Sequence, residues 1–507
     1  MQQLSPRIFT PCPVPPLKVG VANEWRIAKT LPAFPHGRKV AVLLASALTL
    51  PFFLVGAEAP RPPNVLLIAV DDLNTDVGFL GASHAQTPEM DRLASRSTIF
   101  ENAHCPAPIC GPSRNSFLTG RHPHRTGLYS LEPLYSEVEQ LRDVPTFPQW
   151  FRERGYRSVL LGKIFHSRPD RRAADAIFGG YNFGPFPKKP IELPEKNPFH
   201  PFYDFGAFLE DQETTDYRLA NDAIREMRKL AGGPLPFFLS VGFMRPHCPY
   251  YAPQRWFDLH PIESIPPYQD QTADLADLPP YAIQLIPNED KFHRFLLEED
   301  RARRLLQSYR ASISYVDHCI GQLLAALREA GLEENTVVVL FGDHGLQNGR
   351  KNQWFKRTLW EASTRVPLLV SLPGQQQARR VTAPVGLIDL FPTLCQIAGM
   401  PQPDGLDGLS LLGLLDGSDQ GAKRPPALTS HGPGNFSVRD ERWRYIRYAD
   451  GSEELYDHTS DPDERSNLAG KPALAAEKTR LGAYIPPKWS DFAPNSKDLG
   501  SLAFPEK

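Results

Sequence analysis

The chain has 507 residues, 41% hydrophobic and 22% charged, and 56 basic side chains nearly balance 58 acidic ones for a formal net charge of −2. Such a composition suits a folded chain with a large buried core. It excludes a polybasic nucleic-acid binder, whose affinity rests on clustered Lys and Arg, and the 52 prolines argue for long ordered loops rather than a helical bundle.

Residues 1–59 read as a leader and signal peptide. Met1 to Gly37 is Pro-rich and patternless; Arg38 and Lys39 then precede the apolar run Val40 to Ala57, followed by small residues at Ala57 and Ala59. That is the order of a secretory signal between about residues 38 and 59. Cleavage after Ala57 fits, whereas a cut after Ala59 would leave Pro60 directly behind it. The alternative is an uncleaved anchor, since the run approaches bilayer-spanning length, but Pro51 interrupts it. The expectation is an exported protein, periplasmic or secreted, with no stable membrane span after cleavage.

Asn64 to Val70 is a short apolar run, rich in Val, Ile and Leu, ending at Asp71-Asp72. Its length and lack of alternation predict a strand buried on both faces. A helix is expected over Pro88 to Ala94, with Thr87 as N-cap. Further strands are expected at Tyr156 to Leu161, ending in Gly162-Lys163, and at Phe237 to Phe243, followed by Arg245-Pro246-His247. Apolar residues at helical spacing run from Ser308 to Ala330, closed by Gly331. Thr336 to Phe341 is a strand ending at Gly342-Asp343-His344; Val366 to Leu372 is another, and Ile388 to Ala398 a helix. Strand, polar cluster, helix, repeated, predicts an α/β fold with a largely parallel central sheet flanked by helices. Four strand ends would then deliver polar residues to one crevice, where such sheets bind ligands. The Pro-rich stretches Pro185 to Pro201 and Pro261 to Pro287 would be loops around it. After Leu411 the composition shifts. Asp416 to Pro426 resembles a linker, and Phe436 to Val438 with Trp443 to Tyr448 alternate as antiparallel strands do. The organisation expected is a catalytic domain over 60–415 and a small C-terminal subdomain over 427–500 containing an antiparallel sheet.

Six cysteines (Cys12, Cys105, Cys110, Cys248, Cys319 and Cys395) fit neither a disulfide framework nor a zinc pattern. Cys110-Gly111-Pro112-Ser113-Arg114, followed by Leu118-Thr119-Gly120-Arg121, resembles the signature of the formylglycine-dependent sulfatases. Gly342-Asp343-His344-Gly345, the Thr358-to-Leu368 stretch and Glu454-Leu455-Tyr456-Asp457 extend that resemblance over most of the chain. The Lys-x-x-His spacing at Lys163 and His166, Asp343-His344, and Arg245-Pro246-His247-Cys248-Pro249 look most like the iduronate-2-sulfatase branch.

The resemblance implies an alkaline-phosphatase-like fold and a sulfuric ester hydrolase. Cys110 would be converted to 3-oxoalanine (formylglycine) by a formylglycine-generating enzyme. A hydrated aldehyde carries two hydroxyls, one to attack sulfur and one to drive sulfate out afterwards, which a thiol cannot do. Arg114 would stabilise the deprotonated hydroxyl. Asp71, Asp72, Asp343, His344 and the modified Cys110 would hold Ca²⁺, or less readily Mg²⁺, since carboxylates are hard donors. His344 is the odd member, because many relatives carry Asn there and imidazole is a poor Ca²⁺ ligand. Lys163 and Lys356 would contact sulfate oxygens, His247 would protonate the leaving alcohol, and His166 would take a proton from the second hydroxyl. The partner would be a sulfated small molecule or glycan, a uronate 2-sulfate among the candidates, and no nucleic acid. A phosphodiester or phosphonate monoester hydrolase of the same fold, and a non-catalytic binder of sulfated glycans, stay open as alternatives. Gln347, Asn348 and Arg350, the last in place of the usual Glu, depart from the family pattern and place substrate preference in doubt.

Overall fold

The computed structural model describes residues 62–497 except 197–198, 287–289, 420 and 422–423. The expected signal segment lies outside these residues. No helix among the described residues is long and apolar enough to cross a membrane.

An eight-stranded sheet organises the fold: β1 (Asn64–Val70), β2 (Thr98–Phe100), β3 (Arg157–Gly162), β4 (Ala176–Phe178), β5 (Phe237–Phe243), β6 (Thr336–Gly342), β7 (Leu368–Ser371) and β8 (Arg379–Val381). Its order is β8-β2-β7-β6-β1-β5-β3-β4. All neighbours pair in parallel except β7, which runs antiparallel to β2 and β6. The sheet is thus the largely parallel one expected, with β7 reversed.

The central strand explains its own composition. Leu66, Ile68 and Val70 of β1 pack in one core with the long helix α1 (Arg301–Glu329), through Ile313, Val316 and Ile320. Val65, Leu67 and Ala69 pack in the opposite core with Phe117, Phe147 and Phe391. Both faces are covered, so every β1 position from Val65 to Val70 is apolar rather than every second one.

The ends of several elements differ from expectation. The long helix starts at Arg301, two turns before the expected Ser308, with Asp300 in the left-handed region at φ 58; the charged first turns hid it from an apolar-spacing search. Thr87 precedes the Pro88–Ala94 helix but makes no capping bond from its side chain. Instead the Asp317 carboxylate accepts from the Glu89 and Met90 amides at 3.1 and 2.8 Å. A distant acid therefore does the work assigned to a local hydroxyl.

Four strands (Ala427–Ser430, Phe436–Arg439, Trp443–Arg447 and Glu453–Asp457) form the C-terminal antiparallel sheet. The segment expected to be a linker is tied down where it is described. Its first residue, Asp416, ends the Leu412–Asp416 helix, and Arg424 reaches back to the buried Asp389 at 2.8 Å. Buried Arg444 pairs with Glu361 and Glu464, joining the C-terminal sheet to the loop after β6.

Candidate active site

Register brings the polar strand ends together. Val70 of β1 lies level with Phe243 and Gly342, so Asp71 and Asp343 leave adjacent strands at one height. The Asp71 amide donates to Phe243 O (3.2 Å) and the Asp343 amide to Val70 O (3.3 Å). Next door, Gly162 and Gly242 face each other across β3 and β5. Gly162 adopts φ 70, and a Cβ there would sit 2.2 Å from the Gly242 carbonyl. Only glycine lets the chain turn so close, and the turn sends Lys163 into the site, its amide donating to Gly242 O at 2.8 Å.

Cys110 opens the Cys110–Thr119 helix, after an extended Ile109, with Pro112 in the first turn where a missing amide costs nothing. Gly120, at φ 69, ends that helix. Arg114 stands one turn above Cys110 and is fully buried. Its guanidinium bridges Asp343 (Nε, 2.9 Å) and Asp71 (3.2 Å) and also donates to the Lys163 and Ile164 carbonyls. Two strands and one helix are thereby locked around a single fork.

The acids, the thiol and the cations interleave. Lys163 Nζ lies 2.5 Å from Asp71, and Lys356 Nζ lies 2.6 Å from Asp72 and 3.0 Å from Cys110 Sγ. His344 Nε2 is 3.1 Å from Cys110 Sγ and 3.2 Å from Asp72. Nδ1 of His344 is 2.9 Å from the Gly345 carbonyl, to which it donates, turning Nε2 inward. Ligand-type atoms of Asp71, Asp72, Cys110 and His344 all lie within 4.8 Å of one another. Asp343 borders this group, with Oδ1 accepting the Asp72 and His344 amides at 3.1 Å each.

Burial pushes the Cys110 thiol up, but Lys163, Lys356 and His344 outweigh it and hold the thiol well below its ordinary value. Burial likewise opposes the charge on Asp71, yet Lys163, His247 and Arg114 keep it below the usual carboxylate range. His344 rises to about 9, because Asp343 and Cys110 prevail over its burial. His247 is raised well above the ordinary imidazole value, burial being outweighed chiefly by Asp72.

His247 follows β5 on a loop anchored by Asp216, whose carboxylate accepts the Met244 and Arg245 amides at 2.8 and 2.9 Å. Its Nδ1 lies 2.6 Å from the Cys248 carbonyl, its Nε2 faces Asp72 at 4.0 Å, and its ring stacks on Phe183. Cys110, His166, His247 and Lys356 line one cleft of about 900 Å³, together with Phe202 and Tyr203. All ten residues singled out in the sequence thus gather around this cleft or directly beneath it.

Sequence reasoning passed over several neighbours. Tyr309, on α1, donates its hydroxyl to the Asp72 carbonyl at 2.7 Å and accepts from the Asn74 amide at 3.0 Å. Asp72 itself has φ 60, a strained value that packing must hold. A lone Tyr in a helical stretch gives no signal of this. The departures in the 347–350 loop fall elsewhere than expected. Gln347 is buried, bracing Thr358 and Ser363, while Arg350 is exposed in a separate depression with Thr75 and Lys351. The cleft wall carries Arg357 instead.

Comparison with known proteins gives the same reading. Residues 63–400 match the sulfatase family model, and residues 349–485 match that of the N-sulphoglucosamine sulphohydrolase C-terminal region. A sulfatase of Formosa agariphila is 36% identical over 450 residues, covering 84% of this chain and 86% of that protein. Iduronate 2-sulfatase of Mus musculus is 31% identical over 409 residues, covering 69% and 71%. The solved structure of BT1596, a 2-O GAG sulfatase, superposes with a TM-score of 0.66 at 26% identity, covering 84% of this chain and 92% of that one. With its parallel sheet, its Cys110 helix and these relatives, the chain belongs to the sulfatase family and is a hydrolase of sulfate esters.

Proposed function

We propose that the chain removes sulfate from a carbohydrate sulfate ester, with Cys110 acting after conversion to formylglycine and with Ca²⁺ held by Asp71, Asp72, Asp343, His344 and the modified side chain. The observation that carries this is the thiol at a helix N-terminus on the wall of an open cleft, within 3.1 Å of both Lys356 and His344. The donor set fits a divalent cation. Asp72 Oδ2 is buried without a hydrogen-bond partner, which is costly unless something else satisfies it. Lys163 and Lys356 now neutralise Asp71 and Asp72, and a cation would take over that role, releasing both ammonium groups and displacing the His344 proton.

When bound, the cation polarises the sulfate and formylglycine supplies the attacking hydroxyl. Lys163 and Lys356 then take the sulfate oxygens, where negative charge gathers during transfer. Arg114 keeps Asp71 and Asp343 in place through its fork. His247, with Nδ1 committed to the Cys248 carbonyl, delivers a proton from Nε2 to the leaving alcohol. His166, on the same cleft wall, accepts a proton as sulfate departs. Aromatic Phe202 and Tyr203 on that wall suit the apolar face of a sugar ring, and the names of the iduronate and GAG sulfatase relatives point to carbohydrate as well. Export by a signal peptide within residues 38–59, a catalytic domain over 60–415 and a subdomain over 427–500 belong to the same reading.

The test is expression with a formylglycine-generating enzyme, followed by peptide mass across Cys110. Release of 4-nitrophenyl sulfate is then measured with and without Ca²⁺, beside Cys110→Ala and with bis(4-nitrophenyl) phosphate as rival substrate. Modified peptide and Ca²⁺-dependent, Cys110-dependent sulfate release are expected. An unmodified thiol in a competent host, or preference for the phosphodiester, would overturn the proposal.

A further inference from the structure

Arg357 follows Lys356 on the cleft wall, and two features set it apart. Its guanidinium has no ion-pair or hydrogen-bond partner among the described residues, although it is half-buried on a cleft wall whose one lining acid is Asp72. A half-buried cationic fork without a protein acceptor keeps its five donors open to an anion in the cleft. Its backbone stands at φ 76, a conformation that a non-glycine residue keeps only when its surroundings impose it. The constraint is visible: the Arg357 amide donates to Pro108 O at 3.0 Å, two residues before Cys110.

Arg357 also lines a second cavity of about 240 Å³, walled by Leu285, Ile286, Leu359, Trp360 and His431. His431 is buried, and neither ring nitrogen has a partner. Burial, reinforced by the Arg357 charge, holds its imidazole down at about 3, so it is neutral and keeps one N–H to donate. The cleft lining thus carries two permanent cations, Lys356 and Arg357; Lys356 is matched by Asp72, and Arg357 is not matched.

We propose that Arg357, with His431 behind it, is a second anion-recognition point that reads a carboxylate or a further sulfate on the substrate, beside the sulfate removed. This rests on the reading of the Cys110 cleft as the sulfatase site. It makes Arg357 a specificity-determining residue and narrows the substrate to sulfated sugars bearing an additional acidic group.

The experiment compares matched ligands: a uronate 2-sulfate disaccharide against its methyl ester, and a hexosamine disulfate against the monosulfate. Each is assayed for kcat/KM with the formylglycine-bearing protein, and for Kd by calorimetry with Cys110→Ala, which cannot turn over. The protein with Arg357 intact should favour the acidic member of at least one pair, and the pair that responds identifies carboxylate or sulfate. Arg357→Gln should cut that preference at least about tenfold, the worth of one charge-assisted hydrogen bond, and Arg357→Lys should restore part of it. Equal binding of both members of both pairs by Cys110→Ala, or a preference untouched by Arg357→Gln, would overturn the proposal. Absent turnover with the binding preference retained would instead overturn the sulfatase reading and leave the anion site standing.

Discussion

Replacing Tyr309 by Phe removes one oxygen and tests whether α1 positions Asp72. Tyr309 is fully buried, and its hydroxyl joins the Asp72 carbonyl at 2.7 Å to the Asn74 amide at 3.0 Å. Phenylalanine fills nearly the same space, so no cavity term arises. The change strands one buried acceptor and one buried donor, each worth about 1–3 kcal/mol. A loss of roughly 2–6 kcal/mol in stability is expected, read as a lower urea midpoint. The Asp72 backbone, at φ 60, is also freed to relax, and groups that orient metal-binding side chains typically matter about 10–100-fold. The Ca²⁺ concentration for half-maximal 4-nitrophenyl sulfate release should therefore rise by about that factor. Tyr309→Phe with an unchanged urea midpoint and unchanged Ca²⁺ dependence would refute this account of how Asp72 is held.

Lys356→Met should lower kcat/KM about 100-fold or more, as losing one transition-state donor does, while circular dichroism stays that of the parent. Gly162→Ala should destabilise strongly, by about 2 kcal/mol or more, since its Cβ would meet the Gly242 carbonyl at 2.2 Å and φ is 70; soluble yield and urea midpoint report it. Asp317 carries a pH dependence. Burial pushes its carboxyl from an ordinary 3.8 up to about 7, against the pull of the Glu89 and Met90 amides. A raised acid holds its proton longer folded than unfolded, so stability should fall as pH rises from about 4 to 7 and level off above, by at most roughly 4 kcal/mol. Urea midpoints across that range, compared with Asp317→Asn, check it: the slope should be shallower in the variant, and equal slopes would count against the assignment. Chelation by EDTA should abolish activity and Ca²⁺ should restore it; activity that survives exhaustive chelation argues against a cation role.

Much of the site was legible because its chemistry sits at strand ends. Asp71, Asp72, Lys163, Asp343 and His344 each follow an apolar run directly, and a parallel sheet delivers such positions to one edge whatever the strand order. Cys110 and Arg114 were legible from their motif, while the helix that sets them one turn apart came only with the structure. The apolar run of β1, without alternation, likewise announced a strand covered on both faces.

Tertiary structure alone decided the rest. Strand order, the reversal of β7 and the register that levels Val70 with Phe243 and Gly342 arise from pairings between segments far apart in sequence. The cap that Asp317 supplies to Glu89, the grip of Tyr309 on Asp72 and the unpaired state of Arg357 have no local signature. Local pattern records how each residue treats its own backbone and the solvent. Which buried donor meets which acceptor is settled only once distant elements pack, because satisfying buried polar groups is a condition on the whole fold rather than on any segment of it.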